Sequence, residues 1–111
     1  MVGSGSIPVG EERLQMDMEL KAGVSASIVH GDWEWPIHGM RIPPTESTSG
    51  WYLWTGEMEQ EDDFFLPWHT SHLLEVDPSL HRLLEHEPGT RFIIAPGYED
   101  VWHDPWILEN Y

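Results

Sequence analysis

Carboxylates outnumber cations four to one in this chain, 20 Asp and Glu against 5 Lys and Arg, leaving a formal net charge of −15 over 111 residues. Like charges held close in a fold cannot move apart, so this imbalance works against compaction everywhere the chain folds. It is also unevenly placed. Residues 1–56 carry a net −4 and residues 57–111 a net −11. The densest run is Glu57-Met-Glu-Gln-Glu-Asp-Asp63, five carboxylates in seven positions. Solubility of a small domain needs a net charge of only about 2–8 in magnitude. The excess points to a surface that attracts a basic partner and is weakened by salt.

The same arithmetic excludes several classes of function. Five scattered cations cannot neutralise a phosphate backbone, so a basic nucleic-acid-binding face is not expected. No stretch of about 18 apolar residues is present to cross a membrane as a helix. The opening Met1-Val-Gly-Ser-Gly-Ser-Ile-Pro-Val-Gly10 lacks the charged and apolar regions of a secretory signal. With no cysteine there is no disulfide, thiolate metal site or thiol nucleophile, which fits a reducing cytoplasm.

Patterning predicts an α+β fold, a small antiparallel or mixed sheet of three to five strands packed with two short helices. Residues 1–10 are expected to form a disordered tail and residues 11–111 a single domain. Alternation suggests a strand over 11–21, and Val24–Val29 reads as a second. From Trp33 to Gly50 prolines and glycines predict a long irregular connection, after which Trp51–Thr55 resumes as a strand. Trp68, His72 and Val76 fall at helical spacing. Asp77 and Pro78 open a second helix whose stripe is Leu80, Leu83 and Leu84, and Pro88-Gly89 ends it. The unbroken Phe92-Ile-Ile-Ala95 predicts that Thr90–Ala95 is a central strand buried on both faces. Pro96-Gly97 turns it into Tyr98–Trp102 as a hairpin, and Asp104-Pro105 opens a last helical turn.

Seven histidines and seven tryptophans need an account. His69 and His72, with Glu75 or Asp104, could form a two-histidine-one-carboxylate site, the metal-dependent alternative. Their spacing differs from the two-histidine, one-glutamate zinc helix. There is no Gly-x-Ser-x-Gly elbow and no phosphate-binding glycine loop, so no catalytic residue and no cofactor is assigned. Trp51, Trp54 and Trp102 are expected in the core. Trp33 and Trp35, in a Pro/Gly-rich stretch, are expected to be partly exposed, and exposed Trp among acids is the composition of a protein-binding hot spot.

Several motifs together resemble a known family: Gly50-Trp-Tyr-Leu-Trp-Thr-Gly-Glu57, Asp63-Phe-Phe-Leu-Pro-Trp-His69, His72-Leu-Leu-Glu75, Pro88-Gly-Thr-Arg-Phe-Ile-Ile-Ala95 and Tyr98-Glu-Asp-Val-Trp-His-Asp104, with Asp32-Trp-Glu-Trp-Pro-Ile-His-Gly-Met-Arg41 and Pro43-Pro44 upstream. They are similar to an immunity-protein family of bacterial polymorphic toxin systems, the thirty-third in that numbering, over residues 22–109. The resemblance implies a small, non-enzymatic cytoplasmic antidote that binds a cognate toxin. Trp51, Phe64, Phe65, Phe92 and Trp102 would then specify the fold. A basic toxin would meet Glu57, Glu59, Glu61, Asp62, Asp63, Glu99, Asp100 and Asp104, with Trp33 and Trp35 as anchors. An acidic DNA mimic is the remaining alternative.

Overall fold

The Thr90–Ala95 run forms a strand as its β-branched and aromatic content dictates, and it is a useful origin for the fold. The computed structural model describes residues 19–57 and 64–110. In chain order these form β1 (Lys21–Ser25), α1 (Ala26–Val29), β2 (Ile37–Arg41), β3 (Thr48–Thr55), β4 (Phe65–His69), α2 (Thr70–Leu73), α3 (Leu80–Leu83), β5 (Thr90–Ala95), β6 (Tyr98–His103) and α4 (Trp106–Asn110). The six strands make one sheet in the order β4-β1-β3-β2-β5-β6. β1 and β3 run parallel and every other neighbouring pair is antiparallel. The class is therefore α+β with a mixed sheet. It is larger than the expected three to five strands, and four short helices lie among the described residues where two were expected.

Two strands were not expected, β4 and β2, the latter inside the stretch expected to be irregular. Pro36, Pro43 and Pro44 flank it without interrupting it, and its five residues pair with β3 and the first four also with β5. Such a segment is short and carries a glycine, so its strand character comes from distant neighbours rather than from its own sequence. Gly39 is required there because a Cβ would collide with the ring of Phe92.

Two boundaries also differ. β1 stops at Ser25, where the run was expected to continue to Val29. The chain instead makes one helical turn, the His30 amide donating to the Ala26 carbonyl at 2.9 Å, which buries Ile28. The expected helix from Trp68 begins only at Thr70. Phe65–His69 is an edge strand on β1, a place where Pro67 is tolerated because one side of the ladder needs no donor. Thr70 turns the chain into α2 by donating both its amide and its Oγ1 to the Leu20 carbonyl, at 2.9 and 2.8 Å. The strand expected over 11–21 lies outside the described residues as far as 18, as does the tail at 1–10.

The sheet alternation sorts side chains onto two faces. On the first, Ala22, Val24, Ile37, Trp51, Leu53, Phe92 and Ile94 meet Ile28, Leu73, Leu80, Leu83 and Leu84 from α1, α2, α3 and their ends. Each such buried side chain is worth roughly 1.5–3 kcal/mol of transfer free energy. The Trp51 indole N–H donates to the Leu84 carbonyl at 3.2 Å, which satisfies the buried ring and fixes the end of α3. On the second face a smaller cluster joins Met40 and Trp54 to Ile107 of α4, flanked by Tyr52, Phe64 and Phe65. β5 accordingly alternates, with Thr90, Phe92 and Ile94 buried and Arg91, Ile93 and Ala95 half-buried. The expectation of equal burial on both faces is corrected, because helices cover one face far more fully than the other. Trp102 is likewise not core but 38% exposed, since β6 is an edge strand and its side chain lies on the thinly covered face. Phe64 and Phe65 are half-buried.

A candidate protein-binding surface

Five segments converge at one end of the sheet: the end of β1 with α1, the 31–36 loop, the start of β2, the end of β3 and the β5–β6 turn. The register brings this about, since Ile37 pairs with both Thr55 and Ile94, and Ala95 pairs with Tyr98. Ser27 Oγ hydrogen-bonds Thr55 Oγ1 at 2.7 Å, tying α1 to the same end. Pro96 and Gly97 make the tight turn, Gly97 taking φ +75°, a conformation open to glycine.

Trp35 forms the ridge of this end. It is 38% exposed, and its ring meets that of Trp33 edge to face with centroids 4.9 Å apart. Trp33 leans against the main core and is half-buried. Of the two expected anchors, then, Trp35 is presented and Trp33 supports it. A hollow of about 570 Å³ lies on one side of the ridge, lined by Asp32, Trp33, Glu34, Trp35, Pro36, His38, Thr55, Gly56 and Glu57, together with Ser27. Its lining holds three carboxylates and no Lys or Arg. On the other side a second hollow, about 450 Å³, runs to Tyr98, Glu99, Asp77 and Arg82. Indole faces beside carboxylates suit an ammonium or guanidinium, which gains from the ring quadrupole and from charge-assisted hydrogen bonds together.

Among the described residues, the acids named from sequence (Glu57, Glu99, Asp100 and Asp104) do not form one patch. Glu57 lines the first hollow. Glu99 lies by the second, where Arg82 grips it at 2.5 and 2.6 Å through two parallel bonds, and this partner holds its carboxyl below the usual carboxylate range. Asp100 faces the opposite side of the sheet. Asp104 sits at the far end of β6, where it accepts from Arg91 at 3.0 Å and from the Trp106 amide at 3.1 Å as the cap of α4. Glu59, Glu61, Asp62 and Asp63 lie outside the described residues. Alternation along β6 is what separates neighbours such as Glu99 and Asp100.

The cations are largely committed. Arg41 is buried, donating to the carbonyls of Ser49 and His86 at 2.9 Å each. Arg82 and Arg91 hold Glu99 and Asp104. Lys21 is exposed and pairs in register with Thr48, at the end of the sheet away from Trp35. His38, half-buried beside the first hollow, titrates below its ordinary value, chiefly because burial disfavours the charged form and secondly because Arg91 repels it. His69 and His72 approach with ring centroids 5.6 Å apart. Among the described residues no third metal-ligating side chain joins them.

Asp32, Glu34, His38 and Tyr98 were not singled out from sequence. The alternation Asp32-Trp-Glu-Trp35 carried a signal for the first two. Nothing local marks His38 or Tyr98, which the sheet register delivers.

Fold and surface together define a small α+β domain whose mixed six-stranded sheet carries an acid-lined tryptophan ridge at one end. The chain belongs to the Imm33-like domain family, whose model matches residues 8–104. Comparison with curated proteins gives no match, and neither does comparison with solved structures.

Proposed function

We propose that this protein is an immunity protein that binds and neutralises a cognate bacterial toxin in the cytoplasm of the producing cell, without catalysis of its own. Membership of the Imm33-like family supports the immunity role. The observation that carries the binding mode is the hollow beside Trp35, where two indoles and the acidic residues Asp32, Glu34 and Glu57 are grouped with no Lys or Arg among the described lining residues. Such a site receives a Lys or Arg side chain of a basic toxin domain. The anionic surface raises the encounter rate, and the aromatic ridge slows dissociation.

The test is co-expression with the cognate toxin domain, sought among the genes next to this one, with growth and binding kinetics as readouts. Protection is expected, and Trp35→Ala is expected to raise the dissociation rate at least tenfold, as truncating a hot-spot aromatic does. A toxin that stays fully active at saturating concentrations of the protein refutes the reading.

A further inference from the structure

We propose that the outer edge of β6 is a strand-addition site for an extended, cation-bearing segment of a partner protein. β6 ends the sheet order, and its ladder with β5 is regular from Ala95–Tyr98 to Thr90–His103. The bond from the Asp104 amide to the Gly89 carbonyl, 2.7 Å, continues that ladder and shows that the even-numbered residues turn their backbone groups inward. Alternation then points the N–H and C=O groups of Glu99, Val101 and His103 outward.

Sheet edges are commonly blunted by a proline, a lysine or a bulge. β6 has none of these. The opposite edge, β4, has Pro67 in its middle, which removes a donor. Among the described residues, therefore, the two edges are not equivalent, and of the two β6 offers the uninterrupted template.

The side chains define the occupant. On the thinly covered face Tyr98 is 56% exposed and Trp102 38%, and Asp100 stands between them. An incoming strand meets an apolar, an acidic and an apolar position along one face, which fits a segment whose alternate positions run apolar, Lys or Arg, apolar. Glu99 lies on the opposite face, held by Arg82, so Asp100 is the carboxylate that β6 presents between Tyr98 and Trp102. A second copy of this chain is a poor occupant, because each brings a net charge of −15. Main-chain bonds supply affinity and the alternate side chains supply selectivity. The inference shares with the toxin reading only a basic partner, and its test uses no toxin, so each can fail alone.

The experiment titrates the nitrogen-15-labelled protein with a capped peptide whose alternate positions run Val, Arg, Val, with Thr between them, followed by amide shifts and hydrogen exchange. Saturable shifts centred on the amides of Glu99, Val101 and His103 are expected, with at least tenfold slower exchange at those three. Replacing each Arg of the peptide by Glu is expected to weaken binding at least tenfold. Val101→Pro is expected to abolish binding with the β5 resonances unchanged, because the lost N–H is one that points outward. Should that variant fail to fold, Asp100→Lys serves, and a reversed preference for the Glu peptide is expected. Shifts that avoid the three amides, or no peptide binding at millimolar concentration, overturn the proposal. So does concentration-dependent protection of these amides without peptide, which would make a second copy the occupant.

Discussion

The imidazole of His38 lies nearly flat against the indole of Trp54, ring centroids 5.3 Å apart and planes 10° from parallel. The two residues are direct partners across the β2–β3 ladder, so the contact is set by register. Burial and Arg91 hold His38 below its ordinary titration range. The unfolded chain takes up a proton near pH 6.5, whereas the folded chain resists it. Between those two values the unfolded state binds more protons, so stability falls as pH drops below about 6.5 and the loss ends at the folded-state value. Urea melts between pH 7.5 and 5 are expected to show this decline. His38→Phe keeps the stacking and is expected to flatten it. An identical pH dependence in the variant would remove His38 from the account.

Arg41 binds the chain together at the end of the sheet opposite Trp35. Its guanidinium, 5.7 Å from the Trp51 ring centroid, reaches the Ser49 and His86 carbonyls, and its own carbonyl accepts from the Gly89 amide at 2.7 Å. Arg41→Met keeps much of the side-chain volume but leaves those carbonyls without that donor. A loss of about 1–3 kcal/mol per orphaned carbonyl is expected. Arg41→Lys is expected to rescue little, since one ammonium cannot reproduce a planar fork. Chemical denaturation measures both.

Gly39 and Phe92 occupy one another's space across the β2–β5 ladder. Gly39→Ala is expected to destabilise the protein by about 1–3 kcal/mol through overpacking. Phe92→Leu alone also destabilises, by removing part of a fully buried ring. The double variant is expected to be more stable than the sum of the two losses, by about 0.5 kcal/mol or more, because the smaller side chain makes room for the Cβ. Strict additivity would show that the ring is not what excludes a side chain at position 39.

Charge and anchor act on different rates. Replacing Glu57, Glu59, Glu61, Asp62 and Asp63 by their amides is expected to slow association with a basic toxin and flatten its dependence on salt, with little change in dissociation. Stopped-flow measurements from about 50 to 300 mM salt read this against the Debye screening length. An unchanged association rate would take this segment out of the mechanism.

Much of the second half was legible from local signals. Thr90–Ala95, the Pro96-Gly97 turn, Tyr98–Trp102 and the Asp104 cap are short-range devices, each set by side-chain branching, a fixed proline φ or a single side-chain acceptor. β2 was not legible, because Ile37–Arg41 becomes a strand only when β3 and β5 supply both ladders. Nor was the fate of Trp68 and His69, expected to open a helix and instead closing the strand Phe65–His69, which makes five pairings with β1. The candidate surface was half legible. Trp35 and Glu57 could be picked out by composition, but their meeting with His38, and the parting of Glu99 from Asp100, depended on register.

The amino-acid sequence by itself determined the anionic character, the α+β class, the motifs of the Imm33-like family and those elements whose hydrogen bonds close within a few residues. Tertiary structure decided the sixth strand, which face of the sheet the helices cover, and which carboxylates remain unpaired beside the tryptophan ridge. The division has one cause. A turn or cap satisfies its backbone groups from its immediate neighbours, whereas a strand's partners and a charge's counter-ion arrive from tens of residues away, and only the assembled sheet fixes where they stand.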